Sequence, residues 1–403
     1  MIVRAKILIP MDGPPIENGA VIVSGERIRS VGKFPDLRKE YAHEEIVDLG
    51  EQALLPGLIN AHCHLDYTCL RGKISLPKSF TDWIRAINAE KAKLSAQDYI
   101  ASIDQGFAEA KRFGTTTIAN LTAFPELVLQ IQSPIRTWWF AELIDIRDSS
   151  RAKEIVDLAV EQLKTQKRWG LAPHTPFTAS ADLYRRSAQA APLLTTHLAE
   201  SREEMSMFCD AKGELYEFLR EIGRDMEDCR GTTPMERFTE MFRGVPPSFD
   251  MTKDWILTHL NEIGAQDLDL LRQSKPDVSI VHCPRSHAYF DHSPFQFQKL
   301  RELGLNVCLG TDSLASNQDL SLFAEMRSFQ KEFPDVSPEE ILAMVTVNSA
   351  QVFGPENAFG KISAGFLADL IAIPVAGSNP LFEAVVAFER PVEWTMVGGR
   401  ISI

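Results

Sequence analysis

Eight short apolar runs recur through the middle of the chain, each followed by a stretch of helical periodicity. The runs span residues 58–64, 115–121, 137–144, 170–174, 193–197, 255–259, 278–282 and 306–312. Between them lie helix-like segments such as 153–166, 181–189 and 265–273. A short, wholly apolar run reads as a strand buried on both faces, and strands alternating with helices make parallel βα units. Eight such units predict an α/β chain folded as a (β/α)8 TIM barrel. The rival, an open doubly wound sheet, carries a glycine-rich phosphate turn after its first strand. Here that strand ends in His62-Cys63-His64.

The two ends of the chain follow a different pattern. Residues 3–9 are an apolar strand stopped by Pro10, and 19–31 resemble a hairpin turning at Ser24-Gly25-Glu26. Near the C-terminus, 369–373 and 392–397 read as strands, and Gly398-Gly399 supplies a turn into 400–403. Each cluster is too small to hold a core alone. The expectation is therefore one small β-sandwich domain built from residues 1–55 and 357–403, with the barrel over 56–356. A chain of 403 residues has room for both. About fifty residues separate the fifth strand from the sixth, and this insertion over 201–248 either caps the catalytic face or forms a structural or dimer-making excursion.

Net charge is −13, from 42 Lys and Arg against 55 Asp and Glu, which argues against nucleic acid or an anionic membrane as partner. The six cysteines include no CxxC pair, so a disulfide framework or thiolate metal site is not indicated and a reducing compartment is expected. The first ten residues are too short and too charged for a signal peptide, and no apolar run reaches membrane-spanning length. A cytoplasmic enzyme acting on a small molecule fits these features.

Polar residues fall where the barrel would use them. His62 and His64, two apart on a strand, point the same way with Cα atoms about 6.6 Å apart. Alone they are equally a pair of half-buried histidines. Yet six of the nine histidines, His62, His64, His174, His197, His259 and His282, end predicted strands, and that face of a barrel carries its chemistry. Asp312 also ends a strand, either as a helix N-cap or as a metal ligand. Glu200 follows His197 by three residues and either caps the next helix or stands over an ion's open position. Imidazoles with a carboxylate suit zinc and can also hold iron. A catalytic ion of this kind lowers the pKa of a water towards about 7, and a nearby carboxylic acid must then carry the proton to the leaving group.

The combination of Pro56-Gly57-Leu58-Ile59-Asn60 before His62-x-His64, then His197-x-x-Glu200, His259 and Gly310-Thr311-Asp312, resembles the amidohydrolase superfamily. It is most similar to the branch of cytosine and guanine deaminases and triazine chlorohydrolases. The resemblance covers nearly the whole chain. It implies one divalent metal ion, zinc with iron as the alternative, held by His62, His64, His197 and Asp312. It implies catalysis by Glu200 as proton carrier and His259 as a hydrogen-bonding partner of the attacking oxygen, beside Asp312. The fourth strand carries His174 where dinuclear members use a bridging lysine, so a single ion is expected.

Within the branch the details look like the S-adenosylhomocysteine/methylthioadenosine and 6-aminodeoxyfutalosine deaminases. Trp83 resembles a residue that stacks on substrate, with core packing as its other reading. Glu90 and His174 resemble sugar contacts, although the spacing of Glu90 departs from the better-known members. The segment after the seventh strand reads Cys283-Pro284-Arg285-Ser286-His287, and Ser313 replaces a usual glycine. Arg285 and His287 would either pair with a substrate carboxylate or anchor their loop to acidic neighbours. The expected reaction is deamination of a 6-amino purine nucleoside. Another base deaminase, a chlorohydrolase or an amide hydrolase would use the same site, and a non-catalytic barrel would be expected to lack these ligands. Exposed helices of large barrels often pair, so a homodimer is expected.

Overall fold

The computed structural model describes residues 1–75, 78–146, 148–243, 255–274, 278–354, 357–375 and 380–402. The last residues of the insertion, 244–248, lie outside that set. The central sheet contains β1 (Leu58–His64), β2 (Thr115–Thr122), β3 (Arg136–Leu143), β4 (Trp169–Pro173), β5 (Leu194–Leu198), β6 (Trp255–His259), β7 (Val278–His282) and β8 (Asn306–Leu309, resumed at Asp312–Ser313). All neighbours are parallel and follow chain order from β1 to β8. Every residue of β1, β2, β5 and β6 is buried, as expected of strands covered on both faces.

β8 occupies both ends of this ladder. Its first run pairs with β7, and its second pairs with β1 through Asp312 opposite Cys63 and Ser313 opposite His64. Between the runs, Gly310 N–H donates to His282 C=O at 3.0 Å and Thr311 N–H to His62 C=O at 3.1 Å. The strand thus passes from one neighbour to the other and brings the sheet back on itself, an order that fits a (β/α)8 barrel. Gly310 makes this possible. A Cβ there would lie 2.8 Å from the His62 carbonyl oxygen and 3.0 Å from Val281 Cγ1.

The helices follow from local sequence. The helix Ala96–Arg112 starts at a Ser95/Asp98 capping box and buries Tyr99, Ile103, Phe107 and Ala110 on one face. The helix Phe80–Lys91 starts at Ser79, and its Phe80 N–H is satisfied by Glu203 Oε1 at 2.6 Å, from the helix Arg202–Asp210 of the insertion. Ser79 also donates to Glu214 Oε2 at 2.6 Å, at the start of the helix Glu214–Glu221. These bonds seat the described part of the insertion over the helix that follows β1.

The chain ends form two further sheets, the first from N-terminal strands alone and the second from both ends. One has four strands in the order Arg27–Lys33, Gly19–Ser24, Ile2–Arg4 and Ile46–Asp48. The other has six, and its centre pairs Leu370–Pro374 antiparallel with Gln52–Pro56. Val3, Val21 and Ile28 of the first sheet share one buried cluster with Leu54, Leu370 and Met396 of the second. The expected turns are present: Gly25 has φ +59, and Gly398 and Gly399 have φ +54 and +74. Arg136, at the start of β3, is bound by Asp369, just before the strand Leu370–Pro374, through Nε at 2.9 Å and Nη2 at 3.2 Å. This ion pair fastens the terminal sheets to the barrel.

Candidate active site

β1 delivers His62 and His64 to the same face, as its alternation requires. His62 Nδ1 meets Thr258 Oγ1 at 3.2 Å, while its fully buried Nε2 has no hydrogen-bond partner among the described residues. His64 Nε2 and His197 Nε2 lie 3.1 Å apart. His197 Nδ1 faces the His174 carbonyl at 3.1 Å, and donation along that contact leaves the Nε2 lone pair facing His64. Asp312 Oδ1 is 3.8 Å from His62 Nε2 and 3.9 Å from His64 Nε2. Its other oxygen accepts from Ser286 Oγ at 2.7 Å.

This donor set fits a divalent ion. Ligands about 2.0–2.1 Å from a metal stand roughly 3–3.4 Å from one another. The His64–His197 contact already has that spacing, and the carboxylate stands slightly wider. Burial, reinforced by the neighbouring imidazoles, pushes His62 and His64 well below the usual histidine range. Burial and His174 lower His197. All three rings are therefore neutral with lone pairs available. Burial alone would raise Asp312, but His259, His64 and the Ser286 hydroxyl hold its carboxyl below the usual range.

Glu200 and His259 complete the arrangement. Glu200 Oε1 lies 3.6 Å from His259 Nε2. Burial, with the Asp312 and Glu204 carboxylates nearby, pushes Glu200 well above the usual carboxylate range. Its backbone is held on three sides. Glu204, fully buried, accepts from Glu200 N–H at 2.7 Å and Ala199 N–H at 3.3 Å. Asn261 Nδ2 donates to the Glu200 carbonyl at 3.1 Å, and Glu262 N–H to the Ala199 carbonyl at 2.9 Å. Ala199, His259, Leu260 and Asp312 all have left-handed φ, at +50, +80, +50 and +56. Such residues cost about 1–3 kcal/mol each, and they cluster here because the strand ends must turn sharply to aim their side chains.

A cavity of about 610 Å³ opens above these groups. Trp83, Ile84, Ile87, Asn88 and Lys91 of the helix Phe80–Lys91 line it, together with Phe177 beyond β4 and Phe218, Leu219 and Ile222 of the insertion, which pack in one cluster with Trp83 and Ile84. The described insertion thus supplies part of the cavity's roof. Arg224 secures it, donating to the Phe177 carbonyl at 2.8 Å while paired with Asp228 at 2.7 Å.

The structure brings His62, His64, His197, Glu200, His259 and Asp312 together, with Trp83, His174 and Ser313 lining the same cavity. Three residues expected to contact substrate lie elsewhere. Glu90 falls about a quarter turn from the centre of the cavity-facing side of its helix and binds Lys93 Nζ at 2.6 Å. Arg285 is drawn to Asp319, in the turn before the helix Leu322–Glu332, with Nη1 2.6 Å from its Oδ1. His287 turns its Nε2 to the Ser293 carbonyl at 2.9 Å. Sequence reasoning also missed Glu142, Glu204 and Ser286. Glu142, second from the end of β3, lines the cavity with Oε1 3.8 Å from both His64 Nδ1 and His174 Nε2. An acidic residue near the end of an otherwise apolar strand was the available signal.

The Amidohydrolase family model matches residues 53–402. The chain belongs to that family. It is 28% identical over 433 aligned positions to 5-methylthioadenosine/S-adenosylhomocysteine deaminase of Desulfitobacterium hafniense, covering 100% of this chain and 92% of the relative. The enzyme of the same name from Moorella thermoacetica is 26% identical, with 93% and 85% covered. Among solved structures, Helicobacter pylori aminofutalosine deaminase in complex with methylthio-coformycin superposes with a TM-score of 0.86 at 23% identity, covering 100% of both chains. An adenosine deaminase from Xanthomonas campestris with bound zinc gives 0.79 at 22%, covering 99% and 92%. These structural likenesses support the amidohydrolase fold.

Proposed function

We propose that this amidohydrolase deaminates a 6-amino purine nucleoside of the adenosine type to its 6-oxo form, with release of ammonia. The observation that carries the reading is the Glu200 carboxyl, buried and with its hold on a proton raised, beside both His259 and the His62, His64, His197 and Asp312 donor set. A divalent ion held by those four residues, zinc by ligand type, supplies Lewis acidity and an activated water at neutral pH. With an ion bound, Glu200 in its ionised form would take a proton from the attacking water and give it to the purine ring nitrogen, and would then carry a second proton from the attached oxygen to the leaving amine. His259 hydrogen-bonds the attacking oxygen as the ring carbon becomes tetrahedral. Trp83 offers an aromatic face to the base. The apolar outer wall of Ile84, Phe218 and Ile222 leaves room for a 5′ substituent, which a bare base would not fill. The names of the Moorella and Desulfitobacterium relatives support the same substrate class.

We also propose a cytoplasmic homodimer in which the terminal sheets pack as a sandwich. Among the described residues no helix is long and apolar enough to cross a membrane. Ammonia release by the zinc-loaded protein from adenosine, methylthioadenosine, S-adenosylhomocysteine and 6-aminodeoxyfutalosine tests the function, with guanine, cytosine and a chlorotriazine as controls. Turnover confined to the controls would refute it.

A further inference from the structure

A second histidine cluster sits at the end of β7, and it shares no residue with the catalytic set. His282 is fully buried, and its ring stacks on Phe295 with centroids 3.9 Å apart. Neither of its ring nitrogens has a hydrogen-bond partner among the described residues. A neutral imidazole carries one donor and one acceptor, and leaving both unmade in a dry site is unfavourable. The His287 ring is 5.1 Å away, between His282 and His292. Donation from His287 Nε2 to the Ser293 carbonyl leaves Nδ1 with the lone pair, the arrangement found in metal-bound histidines. Glu332 adds an exposed carboxylate, oriented by the Phe295 N–H at 3.4 Å, and offers a route from solvent. Nitrogens of His282 and His287 and an oxygen of Glu332 all lie within 4.8 Å of one another.

We propose that His282, His287 and Glu332 form a second site for a divalent transition-metal ion, structural in role and zinc by ligand type. Two neutral imidazoles and a carboxylate are a recurrent zinc donor set, with water or His292 able to fill the fourth position. The Glu332 side chain can close the remaining separation because it is exposed and free to change rotamer. An ion here joins the end of β7, the helix Pro284–Tyr289 and the end of the helix Leu322–Glu332. It thereby steadies Ser286, which sits beside His287 and hydrogen-bonds Asp312.

The test is metal stoichiometry of the full chain, stripped with chelator and equilibrated with buffered nanomolar zinc. The wild type should hold two equivalents, and His287→Asn and Glu332→Gln one each. Because Glu332 is exposed, its variant folds even if the buried histidine variant does not. His62→Ala/His64→Ala should lose the catalytic equivalent and keep this one. One equivalent in the wild type, two in either single variant, or none in the His62→Ala/His64→Ala protein would overturn the proposal. None of these readouts depends on which substrate is turned over.

Discussion

Replacing Glu204 with glutamine should slow turnover without displacing substrate or metal. Both carboxyl oxygens of Glu204 accept backbone N–H groups, from Ala199 at 3.3 Å and Glu200 at 2.7 Å. An amide nitrogen cannot accept, so Glu204→Gln leaves one buried N–H unpaired and faces it with another donor. That is worth about 1–3 kcal/mol, and it falls on a corner already held in a left-handed turn at Ala199. If the corner relaxes, Glu200 leaves its place beside His259, and the loss appears as a fall in kcat of roughly 5- to 150-fold at 1.4 kcal/mol per tenfold. KM and bound metal should stay unchanged, since Trp83 and the four ligands are untouched. Steady-state ammonia release, metal content, and the same substitution on a Glu200→Gln background provide the assay. The two changes act through one group, so Glu204→Gln should cost nothing further there. A kcat within twofold of wild type, or a full additional loss in the double variant, would refute the reasoning.

Glu200→Gln itself should retain fold and metal while kcat falls by about 10²–10⁴-fold, the usual worth of a positioned proton carrier; unchanged turnover would remove Glu200 from the reaction. Asp369→Asn should destabilise the protein to denaturant by about 3–5 kcal/mol, because it strands the Arg136 charge where the two side chains are only 9% and 3% exposed. Arg136→Met/Asp369→Leu should recover much of that loss, and failure to do so would show that the pair acts through its hydrogen bonds. Burial, against the pull of Arg285 and Asn317, pushes Glu325 from an ordinary 4.5 up to about 8. Between those values the folded chain holds a proton that the unfolded chain has released, so this contribution is full below the lower value and is lost as pH rises through the upper one. The fall in Tm between pH 5.5 and pH 8.5 should accordingly be smaller in Glu325→Gln, and parallel profiles would refute this.

The parallel βα order and the convergence of the candidate donors were legible in sequence because both have short-range signatures. Alternation aims His62 and His64 together, and short strand-like runs that end in a histidine or an aspartate mark His197, His259 and Asp312 without any knowledge of what they face. Trp83 was legible only by resemblance, and Glu90 shows the limit of that route. Counting the helix face would not have set it aside, because seven residues bring Glu90 back within about 20° of Trp83, yet it binds Lys93 instead. Arg285 and His287 were undecidable for another reason. Their partners, Asp319 and Ser293, are brought near by loop packing that leaves no period in the chain. Glu142 and Glu204 were passed over because a single acid in an apolar strand or a helical first turn looks like ordinary surface chemistry until its burial is seen.

The divided path of β8 bears on how the protein is made. The ring cannot close until the strand carrying Asp312 has left the ribosome, about 250 residues after His62. Until then β1 lacks its second neighbour, and the three histidines lack their carboxylate. The sheet that pairs Gln52–Pro56 with Leu370–Pro374 waits longer still. Return of the sheet to β1 and arrival of Asp312 beside the three histidines therefore coincide, and a chain cut before residue 312 would lack both.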